Sequence, residues 1–249
     1  MPVDDALGAL DARLRDSDYF PYYRAHRARY RSDALRVLGT MGDGPVLEVG
    51  SVPCHATALL ALCGVPVVGV DVAPERAQAT IDAFGLDVRR CDIERAPLPF
   101  ADAHFSTVLF AETFEHLRVD PQFVLSELNR VLTPGGTLLL TTPNLYSAQN
   151  IARFLAGRGI TDGLSEFSKL RTVGHMGHVR EYAPAEVRRF LEASGFAIER
   201  VDFAHYHYRP GKRGMLARVV FAVLPRRFRS FQVVTARKIR PGPGLAPLG

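Results

Sequence analysis

Val46-Leu-Glu-Val-Gly50 and Val65-Pro-Val-Val-Gly-Val-Asp71 are two short runs rich in β-branched residues, each ending in a turn residue or an acid. Between them, His55 to Cys63 reads as a helix closed by Gly64. Apolar strand, helix, apolar strand is the pattern of a βαβ unit, whose two strands lie parallel and buried on both faces. The alternation continues outward. Pro74 to Phe84 is a helix with proline in its first turn, Leu86 to Asp92 a third strand and Phe105 to Glu112 a fourth. Pro121 to Leu132 is an amphipathic helix stopped by Thr133-Pro-Gly-Gly136, and Thr137 to Thr142 a fifth strand. Ala183 to Ala193 is a further helix before Gly195, with Phe196 to Phe203 and Phe228 to Ala236 as the last two strands. The expectation is a Rossmann-like α/β fold: a seven-stranded, mostly parallel sheet with helices on both faces and the last strand antiparallel.

The same reading divides the chain. Residues 1–42 form a helical extension or lid, with Leu7, Leu10 and Leu14 on one apolar stripe and Tyr30, Ala34, Leu35 and Leu38 on a second. The main domain runs from 43 to 240 and includes an aperiodic segment, 143–182, whose length marks it as an active-site insertion. Residues 241–249, rich in proline and glycine, read as a disordered tail.

Composition narrows the class. A chain of 249 residues, 47% hydrophobic and 23% charged, is ordinary for a globular protein. It has no long uninterrupted apolar run and an acidic start at Asp4 and Asp5, which points to a cytoplasmic location. Cys54, Cys63 and Cys91 have neither the number nor the spacing of a disulfide framework or a thiolate zinc site. The net charge of +5 is uneven, with basic clusters at 24–36 and 209–240 around an acid-rich 92–127. Such a balance fits a small-molecule enzyme and leaves a nucleic-acid partner as the second choice.

The chemistry concentrates at Phe105-Ser-Thr-Val-Leu-Phe-Ala-Glu-Thr-Phe-Glu-His116, where an apolar strand ends in Glu112, Glu115 and His116. If a helix begins there, the i, i+3, i+4 spacing turns the three toward one side. In open parallel sheets that edge is where ligands bind. A second histidine from Gly174-His-Met-Gly-His178-Val-Arg-Glu-Tyr182 would complete a mixed oxygen and nitrogen site with positions left open.

Taken together, these segments resemble the class I S-adenosylmethionine (SAM)-dependent methyltransferases. Val46-Leu-Glu-Val-Gly50 is similar to the first cofactor motif, Val67 to Asp71 to the strand ending in the ribose-binding acid, and Arg90-Cys-Asp-Ile93 to the adenine segment. Pro97-Leu-Pro-Phe-Ala-Asp102-Ala-His-Phe105 and Leu125 to Gly136 resemble the approaches to strands four and five. The resemblance implies a cofactor site at Glu48, Gly50, Ser51, Asp71, Val72, Asp92, Ile93, Ala111 and Glu112. One departure stands out. Gly50-Ser-Val-Pro-Cys-His55 places Val52 and Cys54 where further glycines are usual, so the loop must take a different path.

The Glu112, Glu115, His116, His178 set is similar to the metal site of small-RNA 2'-O-methyltransferases and of metal-dependent ubiquinone O-methyltransferases, which implies Mg2+ or Mn2+. Glu115, His116 and His178 are then the catalytic candidates, with His116 the first choice of general base, and His178 the second, if no metal binds. Methyl transfer to a hydroxyl of a sugar, oligosaccharide or related natural product is the lead reading, with Tyr22, Tyr23, Tyr146, His175 and Tyr182 as substrate contacts and Tyr19 nearby. RNA ribose methylation, a quinone or lipid acceptor and a non-catalytic scaffold are the alternatives. Met215 to Leu224 between basic flanks suggests peripheral membrane contact or a homodimer helix.

Overall fold

The computed structural model describes residues 1–173, 177–206, 221 and 223–248. Its sheet has seven strands: β1 Val46–Val49, β2 Val67–Asp71, β3 Val88–Arg90, β4 Phe105–Ala111, β5 Leu132–Pro143, β6 Phe196–Ala204 and β7 Phe231–Lys238. They lie in the order β3-β2-β1-β4-β5-β7-β6. The first five are parallel, and β7 runs antiparallel to both β5 and β6. The chain therefore reverses direction across the sheet between β1 and β4, and a crevice opens there at the strands' C-terminal ends.

Alternation along the strands decides which helix covers which face. Val46, Leu109 and Leu139 point to one side, where α1 (Val3–Leu14), α2 (Phe20–Thr40) and α3 (His55–Leu62) bury Leu7, Leu10, Tyr23, Tyr30, Val37 and Leu59. Leu47, Val49, Val108, Phe110, Leu138 and Leu140 point to the other, against α5 (Pro121–Val131) and α8 (Pro184–Ala193). Each large apolar side chain buried in these layers contributes about 1.5–3 kcal/mol. The helix α4 (Gln78–Phe84) follows a short 3-10 turn at Pro74–Ala77 and packs beside α3. Helix α5 starts cleanly because Pro121 follows Asp120, whose carboxylate accepts from the amides of Gln122 and Phe123.

Val3–Leu14 and Phe20–Thr40 are helical; the first stripe is buried, whereas Leu35 and Leu38 of the second are exposed, and α2 is tied to β6 by Arg36–Asp202 at 2.7 Å and to the residues after it by Ser32–Tyr206 at 3.1 Å. Residues 143–182 are more regular than the sequence suggests, since α6 (Ala148–Leu155) and α7 (Gly163–Val173) occupy much of them. Their apolar residues Phe154, Leu155, Leu164 and Phe167 are exposed, so no inward stripe marked them. Strand β3 is shorter than expected. Strand β5 begins earlier, running through Pro134-Gly-Gly136 with a register shift against β4. A 3-10 turn at Arg226–Phe228 moves the start of β7 to Phe231. The chain beyond β7 is pinned at its start, where Gly242 N donates to Asn129 Oδ1. Among the described residues no helix is long and apolar enough to cross a membrane; most of the stretch from Met215 to Leu224 lies outside them.

Candidate active site

The crevice between β1 and β4 is built from four strand ends. After β1, Gly50 takes a φ of +76°, and a Cβ there would sit 2.3 Å from Thr113 Oγ1, so only glycine lets the two strand ends approach. The loop then passes through a cis Val52–Pro53 bond and puts Cys54 at φ +65°, at the position where a further glycine was expected. Cys54 adopts the left-handed conformation without being glycine, at a cost of about 1–2 kcal/mol. This is the different path the substitutions imply.

Asp71, at the end of β2, is held facing this loop. Its Oδ2 accepts from Val52 N and its Oδ1 from Ala73 N, both at 3.0 Å, so each oxygen keeps acceptor capacity for a ligand. Val72 follows, exposed. Asp92, after β3, accepts from Glu94 N at 3.1 Å, and Ile93 beside it is partly buried against the core. Ser51 is buried, and its hydroxyl makes no hydrogen bond. Glu48 is buried beneath the loop rather than on its surface, accepting the Thr57 hydroxyl, and burial pushes its pKa up to about 7. Ala111 ends β4, half-buried.

Past Ala111 the expected helix does not form. Glu112 takes a φ of +53° and Phe114–His116 make a single 3-10 turn. Val179 N and Arg180 N donate to the Glu115 carbonyl at 2.9 and 3.2 Å, which draws His178 over the turn from more than 60 residues away. Glu115, His116 and His178 consequently offer one ligand atom each within 4.8 Å of one another. Glu115 is fully buried; its Oε2 accepts the Thr142 hydroxyl at 2.9 Å. Its Oε1 has no hydrogen-bond partner and lies 3.9 Å from both His116 Nε2 and His178 Nε2. Two ligands about 2.1 Å from one cation can be at most about 4.2 Å apart, so these separations fall inside the limit for a shared ion and would shorten on binding it.

The outer nitrogens are oriented as metal-binding histidines require. His116 Nδ1 donates to the Gly177 carbonyl at 2.9 Å, and His178 Nδ1 lies 3.6 Å from Glu181 Oε1, leaving both Nε2 atoms turned toward Glu115. Burial and the neighbouring Glu112 charge push the Glu115 carboxyl well above its ordinary value. Burial likewise raises Glu112. For His178, burial works toward the neutral form, but Glu181, Glu115 and Glu112 outweigh it and the pKa rises. Two acids, Glu112 and Glu115, held above their usual range beside two imidazoles form a site short of positive charge. Glu112 is outside the three-residue group. Its carboxylate accepts from Thr141 Oγ1 at 3.0 Å and lies in the field of Arg29.

Arg29 is the residue the sequence reading missed. It is buried with its Nε unpartnered; Nη1 is 3.5 Å from Asp33, both of whose carboxylate oxygens lack a hydrogen bond. A signal existed: Tyr22, His26, Arg29 and Asp33 are spaced i, i+4, i+7, i+11, one polar stripe along α2. Of the expected substrate contacts, Tyr22 and Tyr146 are exposed, and Tyr22 stacks on His26 at 4.0 Å. Tyr19 meets the His55 ring edge-on at 6.3 Å. Two expectations are overturned. Tyr23 is fully buried among α1 and α2, and Tyr182 packs against Phe114 and Phe190, so both are core residues. His175 lies outside the described residues. His178 also lines a cavity of about 380 Å³ with Asn150, Arg153, Lys169, Glu181 and Ser230.

Residues 47–140, from β1 into β5, match the family model described as a methyltransferase domain. A protein of Mycolicibacterium smegmatis named "Probable S-adenosylmethionine-dependent methyltransferase" is 32% identical over 189 residues, 75% of this chain. In sequence and in fold the chain is similar to the class I SAM-dependent methyltransferases. It spans 62% of the length of that M. smegmatis relative. The demethylmenaquinone methyltransferase of Thermus thermophilus is 40% identical over 80 residues, 31% of this chain and 36% of that protein. Among solved structures, a SAM-dependent methyltransferase of Thermotoga maritima superposes with a TM-score of 0.59 at 19% identity, over 92% of this chain and 99% of that one, a likeness of fold.

Proposed function

We propose that this chain transfers a methyl group from SAM to a hydroxyl oxygen of a sugar, oligosaccharide or related natural product, with a divalent cation, Mg2+ or Mn2+, held by Glu115, His116 and His178. The observation that carries the reading is Glu115 Oε1: a buried carboxylate oxygen without a hydrogen bond, equidistant from the Nε2 atoms of His116, whose Nδ1 is bonded to the Gly177 carbonyl, and of His178, whose Nδ1 lies 3.6 Å from Glu181.

The donor set also suits the cofactor. Asp71 would accept the ribose hydroxyls, its carboxylate fixed beforehand by two backbone amides. Arg29, buried with an unused N–H, would pair with the methionyl carboxylate, a contact worth more out of water than in it. When bound, SAM supplies an electrophilic methyl on a sulfonium, and the transfer is an in-line displacement that rewards alignment. A divalent ion at Glu115, His116 and His178 would make an acceptor hydroxyl more acidic, which an alcohol needs before it attacks. The chain's own part is to orient. Gly177 and Glu181 fix the two imidazoles, and the cavity beside His178 presents amide, hydroxyl, carboxylate and cationic groups, a lining suited to a polyhydroxylated acceptor.

A quinone-type acceptor is the second reading, favoured by the likeness to the Thermus demethylmenaquinone enzyme. Calorimetric titration with Mn2+ tests the metal. The wild type should bind one equivalent, and Glu115→Gln, which keeps the shape and the Thr142 contact, should weaken binding at least tenfold. Equal affinity in the two proteins would remove the cation from the account.

A further inference from the structure

Helices α6 and α7 are arranged inside out. Gln149, Asn150 and Arg153 of α6 face Glu166 and Lys169 of α7 across the cavity that His178 lines. At 100° per residue, the opposite side of α6 carries Ile151, Phe154 and Leu155, and the opposite side of α7 carries Leu164 and Phe167. All five are exposed: Phe154 by 73%, Leu155 by 78%, Leu164 by 81%, Phe167 by 60% and Ile151 by 36%. A surface helix normally turns its apolar stripe to the core and its polar stripe to water. Here the inward positions are polar, with Asn150 buried and Arg153 and Glu166 half-buried, while two large aromatic rings and three aliphatic side chains stand in solvent within one short segment. Isolated exposed leucines need no explanation, but such a pair of matched faces does.

The surrounding charge indicates what covers them. Residues 148–173 carry Arg153, Arg158, Lys169 and Arg171 against Asp162 and Glu166, and Glu166 is paired with Lys169 at 2.6 Å. Arg158 and Arg171 are exposed, one in the connection between the helices and one on the last turn of α7. Short amphipathic helices with aromatic and aliphatic side chains on one face and arginines at the margin are what an anionic bilayer surface takes up, the apolar groups entering the acyl boundary and the arginines meeting phosphate.

We infer that the α6–α7 hairpin docks this protein on anionic lipid membranes, with Ile151, Phe154, Leu155, Leu164 and Phe167 entering the interface and Arg158 and Arg171 binding headgroups. The inference does not depend on the metal or on methyl transfer. Because the inner faces of the same helices wall the cavity beside His178, docking would bring that cavity to the membrane surface, where an acceptor carried on a lipid would be met.

Co-sedimentation of the full chain with vesicles tests it. Vesicles of phosphatidylcholine containing phosphatidylglycerol should bind the protein, and vesicles of phosphatidylcholine alone should bind it much more weakly. The variant F154S/L155S/L164S/F167S changes only exposed positions and should partition at least tenfold less. Arg158→Gln with Arg171→Gln should lose most of the preference for the anionic vesicles and its salt dependence. Absence of binding to anionic vesicles at low salt, or equal binding by the serine variant, would overturn the proposal. So would sedimentation velocity showing a wild-type dimer that the serine variant converts to monomer, because the face would then be covered by a second copy.

Discussion

Asp71 carries the most direct residue-level expectation, because its carboxylate is already aimed by Val52 N and Ala73 N. Asp71→Ala should weaken SAM binding by about 10- to 100-fold, the loss of about 1.5–3 kcal/mol from hydrogen bonds to a charged acceptor. Calorimetry measures this, and unchanged affinity would mean that the ribose is placed wrongly. His55 offers a test of a different kind. It is fully buried among Tyr19, Tyr22, Tyr23 and Tyr30, with Nδ1 3.3 Å from the Tyr30 hydroxyl and Nε2 unpartnered. Burial, with the Arg29 and His26 charges, lowers its pKa from 6.5 to about 3. The unfolded chain therefore takes up a proton below pH 6.5 that the folded chain refuses, so His55's contribution is present above that pH and is lost as pH falls toward 3. The stability difference between wild type and His55→Phe should shift against the wild type by up to about 1.4 kcal/mol per pH unit across that window. Urea unfolding at pH 7.5 and 5 reads it; a pH-independent difference would contradict the buried neutral imidazole. At this scale the sequence conveyed residue type better than direction. The order of the segments placed Asp71 at a strand end; of the expected Glu112, Glu115, His116, His178 set the structure brings the last three together and leaves Glu112 outside the group. Tyr23 and Tyr182 were misread because an aromatic side chain does not announce its face, and Arg29 was hidden among neighbouring arginines.

The elements were legible wherever an apolar period continued long enough to count. β1, β4 and α5 are within a residue of their expected bounds, because each is buried on most sides and bounded by glycine, proline or an acid; β2 starts at Val67, two residues later than expected. α6 and α7 were not legible. Their apolar residues face solvent, so burial left no inward pattern to read. The turn at Phe114–His116 escaped for a related reason: the positive φ at Glu112 breaks the helix that the spacing suggested, while backbone bonds from Val179 and Arg180 supply the proximity instead. Of the elements, α5 gives a simple stability check. Asp120 accepts from two amides at its start, so Asp120→Ala should cost about 1 kcal/mol and lower Tm by about 2–4 °C in thermal unfolding. No change would mean that water replaces the cap without loss.

The whole molecule places Asp71 and the Glu115, His116, His178 cluster at the ends of strands of a single sheet, with the cavity that α6 and α7 line beside His178. That arrangement follows from strand order. The reversal between β1 and β4 opens the crevice, and antiparallel β7 ties the segment after β5 back to the sheet through Asn144 and Gln232. The likeness to methyltransferases points to SAM as the cofactor, and the proposal places the particular chemistry of this chain at the cluster around Glu115. Transfer of labelled methyl from SAM to a fractionated pool of hydroxylated acceptors, before and after chelation, tests that claim most directly. The account predicts that transfer stops with EDTA, returns with Mg2+ or Mn2+ in the wild type and does not return in His178→Ala. Full transfer after rigorous chelation would contradict it.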